Sequence, residues 1–350
     1  MNPKKTIRPE HKKQHAKNTI RSIKRHWQLY LIVALPLVYL IVFKYMPIIG
    51  SQIAFRDYNF KGGIWHSPFV GLKYFKMFFQ SPQFWRLMGN TLGLSVYGIV
   101  LGVFPPIILA IALNYVRVRW FGKTVQMVTY MPYFISTVLI VGILSQMLSL
   151  TGPVNHLIEN LGGQAIHFMG EPKLFKTLYV FSDVWQKTGY NAVIYISALA
   201  AVDQELHEAA TVDGANIWQR IRYIDIPSIM PTAVILLIMS CGHILTIGYE
   251  KVLLLQNDLN MATSDIISTY VYRIGLSGMQ YSYSTAIGIF QSVVSLILLL
   301  VVNKIADKVA DTSLTSVGSD ANSQCGSFVF VFAKRCNKRT GIFLAEGMEY

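Results

Sequence analysis

An all-α membrane protein with six transmembrane helices is the fold class this chain predicts, on three observations. Hydrophobic residues make up 53% of its 350 residues and charged ones only 14%, where a soluble domain carries nearer a quarter charged. Mean hydropathy is +0.40, and several apolar runs approach or exceed the roughly 18 residues that cross a bilayer. The basic residues also gather beside those runs, the pattern that orients helices in a membrane.

A net charge of +13 raises nucleic acid as a partner. The arm 1–26 holds Lys4, Lys5, Arg8, Lys12, Lys13, Lys17, Arg21, Lys24 and Arg25, with no aromatic residue before Trp27. It therefore offers no base-stacking surface and reads as a cytoplasmic arm held near anionic membrane lipid. The following apolar run starts late, is long and lacks a small-residue cleavage site near Pro47, so it is expected to be an uncleaved first span and not a signal peptide. Three cysteines, Cys241, Cys325 and Cys336, form neither a disulfide framework nor a zinc pattern, and no metal site is expected.

Six spans are expected at about 28–46, 90–113, 125–149, 177–201, 231–249 and 283–303. They make a permease domain over 27–310, flanked by the basic arm and by a polar, then mixed, tail at 311–350 to which no role is assigned. With the N-terminus inside, loop 114–124 is cytoplasmic and carries Arg117, Arg119 and Lys123, as the charge rule requires. Loop 202–230 is then cytoplasmic, as is the C-terminus. Loops 47–89, 150–176 and 250–282 face outward, with Trp65, Trp85, Tyr74 and Tyr281 near the interfacial belt.

Few ionisable residues interrupt the spans. Asp183 and Lys187 lie four residues apart in the fourth, a spacing at which they neutralise each other locally. His243 falls inside the expected fifth span. There is no chain of carboxylates of the kind an ion-driven carrier needs at mid-membrane.

The segment 202–231 is the polar stretch between two strongly apolar ones. Asp203 is placed to cap a short helix. Gly214 supplies the positive φ that ends it. Asn216 followed by Gln219 has capping-box spacing, so a second helix starts there, with Ile217, Ile221 and Ile224 at helical intervals and Trp218 alongside. Pro227 and Pro231 are expected to break it before the fifth span. The result is helix–Gly turn–helix with an apolar stripe, and physics alone leaves open whether that stripe faces the chain's own spans or a partner.

Read in order, EAATVDGANIWQRIRYIDIP (Glu208 to Pro227) resembles the EAA signature of ABC importer permeases. Glu208, Ala209, Ala210 and Gly214 match its first part, and Ile224, Ile226 and Pro227 its end, with Ile226 where Leu is commoner. SQIAFRDYNF, FVGLKYFKMFF, FWRLMGNTL, MPYFISTVLIVGIL and DVWQKTGYNAVIYISALAAVDQELHEAATVDGA are similar to stretches of the sugar-type, LplB-like permeases. That likeness covers about 25–310. It implies the type I ABC importer permease fold in a bacterial cell membrane, and the permease role for a carbohydrate, in particular an oligosaccharide. It also implies a second homologous permease subunit, a cytoplasmic ATPase dimer that docks on this loop and binds ATP and Mg, and an extracellular lipid-anchored solute-binding protein. The chain itself would be neither an enzyme nor a cofactor binder. A different solute class or an ion-coupled carrier is the alternative.

Two further patterns are weaker. Gly122-Lys123-Thr124 imitates the end of a phosphate-binding loop, but Arg117 occupies the upstream Gly position and no strand precedes it. Gly98 and Gly102 have the Gly-x-x-x-Gly spacing of close helix pairs. For the substrate path, aromatic faces with polar groups are the expected lining, and the candidates are Trp185, Tyr190, Asn191 and Tyr195 in the fourth span with Ser240 and His243 in the fifth.

Overall fold

A computed structural model describes Arg25 and residues 27–246 and 248–310, the last four of these by backbone alone. Nearly all of the basic arm and the whole tail, with Cys325 and Cys336, lie outside the described residues. Within them the chain is helical, relieved only by turns and one isolated antiparallel bridge between Arg56 and Phe69. Twelve helices matter here: α1 Trp27–Phe55, α2 Lys73–Gln80, α3 Phe84–Asn114, α4 Arg119–Phe134, α5 Thr137–Met147, α6 Pro153–Asn160, α7 Pro172–Ala200, α8 Gln204–Val212, α9 Ile217–Gly242, α10 Tyr249–Leu255, α11 Ile267–Tyr272 and α12 Tyr281–Ala310.

Four of these, α1, α3, α9 and α12, are long and apolar enough to cross a membrane, and the pair α4 and α5 makes a fifth if counted as one broken span. The third expected span is thus not straight. It bends by 99°, because Ile135 and Ser136 take extended backbone after the turn containing Pro132, and Ser136 then caps α5. The helix onset at Arg119 also replaces most of the loop expected at 114–124, and places Gly122-Lys123-Thr124 on a helix. The expected fourth span is α7, whose 29 residues give about 43 Å of helix. Lys173, Lys176, Asp183 and Lys187 make it too polar to count on composition.

The fifth span departs furthest from expectation. Its helix ends at Gly242 instead of about 249, so His243 is the residue after the helix and not a group inside it. It also begins at Ile217: Pro227 and Pro231 do not break it. A π-turn at Ile221–Asp225 precedes Pro227, and the wider turn gives room where the proline ring and its missing N–H disturb the helical bonding. In α1, Pro47 likewise follows a π-turn, at Ile41–Tyr45.

Three apolar clusters are strung along α3. One gathers Phe78, Phe84, Leu87, Leu245, Ile267 and Tyr283; the next Leu94, Phe175, Tyr179, Val252 and Ile266; the last Ala110, Ala192, Tyr195, Leu199 and Ile229. The helix α7 runs along α3 and crosses α4. Close helix approach occurs at Gly189, not at Gly102. An added Cβ at Gly102 would meet nothing within 4 Å, whereas at Gly189 it would collide with the carbonyl of Thr129.

The segment 250–282, expected as an outward-facing loop, is helical and packs into the bundle. Val252, Ser264, Asp265, Ile266, Ile267 and Thr269 are buried. Asn90 of α3 donates to the carbonyls of Ala262 and Asp265 at 2.9 and 3.1 Å, and Thr91 accepts from the Ile267 N–H at 3.0 Å. The buried Asp265 carboxylate accepts from Arg273 at 2.8 Å and lies 3.6 Å from Arg86. A charge this deep is tolerated only because two guanidiniums face it. By contrast α1 buries none of its apolar window.

Candidate coupling loop and mid-helix polar site

The loop 202–231 builds itself from its capping residues. The Asp203 carboxylate accepts the Glu205 N–H at 3.0 Å and starts α8. The helix ends in a paired closure at Gly214, φ +79: the Ala215 N–H donates to the Ala210 carbonyl at 2.8 Å and the Gly214 N–H to the Thr211 carbonyl at 3.1 Å. That double bond pattern requires a left-handed residue between, which glycine takes without cost. Asn216 and Gln219 then exchange side chain–backbone hydrogen bonds, both 2.8 Å, to start α9. Helix, glycine turn and helix stand where the spacing predicts them.

Glu208 and Ala209 are exposed and Ala210 is half-buried; Gly214 and Pro227 are exposed and Ile224 is half-buried. Glu208 lines a cavity of about 530 Å3 with Tyr115, Gln204, His207, Thr211 and Arg220. Val212, Trp218 and Tyr223 project outward, Trp218 at 77% exposure. The apolar stripe therefore divides: Ile221 and Ile224 turn partly inward and Trp218 does not.

Beneath the loop lies a clasp that the sequence reading missed. Asp225, in the π-turn, is 1% exposed. Tyr115, at the end of α3, donates its hydroxyl to Asp225 Oδ2 at 2.7 Å, and His207 Nε2 of α8 lies 3.4 Å from Oδ1. Arg220 lies over the Tyr115 ring at 5.7 Å and donates to Thr211 at 3.2 Å. Burial, then the Asp225 bond, push the Tyr115 hydroxyl up to about 12, so it keeps its proton at neutral pH. One carboxylate thereby bonds α9 to α3 and turns its other oxygen, which has no hydrogen-bond partner, to His207 of α8. The only signal in the sequence was an acid inside the apolar run YIDIP.

The structure brings none of the six path candidates into contact with another through the fold. Tyr190 stacks on Tyr133 at 4.0 Å between centroids, planes 6° apart, and on Tyr130 at 6.0 Å; Asn191 is its half-buried neighbour. Trp185 is exposed but, two residues from Asp183, sits about 200° around α7 from it. Tyr195 is 3% exposed in the third core cluster, a packing residue and not a lining one. Ser240 bonds back to the Leu236 carbonyl at 2.8 Å, and His243 lies beyond the helix.

The pair Asp183–Lys187 forms as its spacing predicts, at 2.9 Å, but it is not closed. Lys251 of α10, 4% exposed, lies 3.8 Å from the same carboxylate and donates to Gln186 at 3.4 Å. Its amine also stands 5.7 Å from the Tyr179 ring. Two lysines thus share one acid near the middle of α7. Among the described residues no group of three or more His, Cys, Asp or Glu is placed to hold a metal.

Residues 77–311 match the family described as the binding-protein-dependent transport system inner membrane component. The protein LplB of Bacillus subtilis (strain 168) is 41% identical over 288 residues, 82% of this chain and 91% of LplB. The polygalacturonan/rhamnogalacturonan transport system permease protein YteP of the same organism is 38% identical, over 87% and 95%. Among solved structures, a chain of a bacterial ABC transporter involved in import of the acidic polysaccharide alginate matches with TM-score 0.77 and 36% identity, over 84% of this chain and 99% of that one. A second structure of such an alginate transporter, with a pentasaccharide-bound periplasmic protein, matches with TM-score 0.77 and 37% identity. Matched over most of its described length, this chain is a multi-pass membrane transport subunit and belongs to the family of binding-protein-dependent inner membrane components.

Proposed function

We propose that the chain is the permease subunit of an ATP-driven importer for a carbohydrate, an oligosaccharide in particular. A second homologous permease would complete the pore. An ATPase dimer would bind ATP and Mg, and a lipid-anchored extracellular binding protein would deliver the sugar. Both termini and the loop 202–231 face the cytoplasm in this reading, in line with Arg117, Arg119 and Lys123 beside α3 and α4.

One observation carries the proposal. The EAA helix α8 packs its His207 against the buried Asp225 of α9, and α9 runs as one helix from the loop into the fifth span. A push on Trp218 and Glu208 therefore moves a rod that reaches through the bundle. Glu208 makes or orients the contact with the ATPase. Ala209 and Ala210 keep α8 slim, Gly214 sets the angle between α8 and α9, and Ile224 and Pro227 seat the π-turn. ATP-driven closure then shifts the population between inward- and outward-open states.

The test is a mild-detergent pull-down of the full chain from its native membranes. Co-elution of a second permease, an ATPase and a sugar-type binding protein is the expected result. Elution alone, under conditions that preserve other membrane complexes, would overturn the reading.

A further inference from the structure

The break of the third span at Ile135 and Ser136 sets a problem of hydrogen bonding. In a continuous helix the Ile135 carbonyl would take the Leu139 N–H. Here Ser136 Oγ accepts that N–H at 3.4 Å, so the carbonyl is left over. Inside a bilayer a backbone group without a partner is costly, and irregular backbone survives only where protein or water supplies one. Gln186 of α7 supplies it, donating from Nε2 to the Ile135 carbonyl at 3.2 Å.

Gln186 is itself held. It is 9% exposed, and its Oε1 accepts from Lys251 Nζ at 3.4 Å. A carbonyl only accepts and an ammonium only donates, so the amide fits between them in one orientation alone. Lys251 is buried and lies 3.8 Å from Asp183. Its helix α10 packs against both α7 and α5, the limb beyond the break. It also follows α9 closely, joined to it by residues 243–248. A chain of contacts thus runs from the segment after the fifth span, through one amide, to the bend in the third. With the Gln186 donor removed, the Ile135 carbonyl regains a bond if the Leu139 N–H leaves Ser136 and the two limbs align toward one helix.

We propose that Gln186 and Lys251 form a latch that holds the third span bent, and that the latch releases in the ATP-driven cycle, when movement of α9 draws α10 away from α7. Both are positioning residues, acting through the Ile135 carbonyl. This rests on the importer reading above and adds to it the contact through which the fifth span moves the third.

The experiment uses the full chain assembled with its second permease and ATPase in lipid nanodiscs. Its three cysteines are replaced by serine, and spin labels are attached at Phe121→Cys on α4 and Met147→Cys on α5, both exposed positions. Pulsed electron resonance reads the distance between them, first without nucleotide and then trapped with ATP, Mg and vanadate. Aligning the limbs lengthens that distance by up to about 13 Å, at roughly 1.5 Å per residue. The wild type is expected to gain a longer component only on trapping. Gln186→Leu and Lys251→Met should show that component without nucleotide, and the double variant no more of it than Gln186→Leu alone. Equal distances in wild type and Gln186→Leu without nucleotide overturn the latch. A wild type that hydrolyses ATP with no change of distance on trapping overturns its release in the cycle. If Gln186→Leu fails to accumulate, Gln186→Glu takes its place. An ionised glutamate cannot donate to the carbonyl, so the longer component is again required, and its absence sinks the proposal. A complex that hydrolyses no ATP removes the importer reading, while the distances without nucleotide still decide the latch.

Discussion

Asp225 is the residue on which the loop most depends. A carboxylate at 1% exposure survives by its bond to Tyr115 and the nearby His207, and removing one partner leaves a buried charge under-satisfied. Tyr115→Phe is expected to cost about 1–3 kcal/mol, read as a lower midpoint of thermal unfolding in detergent. Asp225→Ala should in addition loosen α8 from α9, so that ATP hydrolysis by the assembled complex continues while uptake falls. Hydrolysis and uptake falling in parallel would show that the clasp serves stability alone. The His207–Asp225–Tyr115 contact was not legible in the sequence. Its members lie far apart in the chain, and only the crossing of α3, α8 and α9 brings them within 3.4 Å.

At the scale of elements, glycines separate two kinds of freedom. At Gly214 the backbone itself is unusual, φ +79, with open space around it, so a β-branched residue is strained there whatever room it has. Gly214→Val should turn the angle between α8 and α9 and uncouple ATP hydrolysis from uptake without preventing membrane insertion. Gly189 has ordinary helical backbone but no room against Thr129. Gly189→Ala should therefore push α7 off α4 and destabilise by about 1–3 kcal/mol, while Gly102→Ala, which meets nothing, should be neutral or slightly stabilising. Comparing the two unfolding midpoints decides the point. The turn at Gly214 was readable in advance because caps and positive φ are local chemistry. Gly189 was not, because the Thr129 carbonyl that excludes a side chain belongs to another helix.

Over the whole molecule, the buried segment after α9 sets a dependence on pH. Lys251 belongs to no spanning helix, and burial, opposed in part by Asp183, lowers its amine from 10.5 to about 8. For a base depressed in the fold, the charged form is the one the fold disfavours. The penalty is complete below pH 8 and is relieved as pH rises from 8 to 10.5. Unfolding midpoints of the complex should therefore climb across that window, and the climb should vanish in Lys251→Met. A flat profile in the wild type would show that Asp183 compensates the amine fully.

Composition, charge bias and capping residues by themselves determined a helical membrane protein, the ordering of its apolar runs, and a helix–glycine turn–helix between the fourth and fifth. Each of these follows from transfer of side chains to lipid or from backbone chemistry within a few residues, and none of the three needs a distant neighbour. Tertiary structure alone decided the rest. It bent the third span by 99°, carried α9 through two prolines, folded the segment 250–282 into the bundle, buried Tyr195, and set Lys251 against the carboxylate that Lys187 already holds by its spacing. Those outcomes depend on which helix lies beside which, and the period of a hydrophobic pattern says which face of a helix is buried but not what it is buried against.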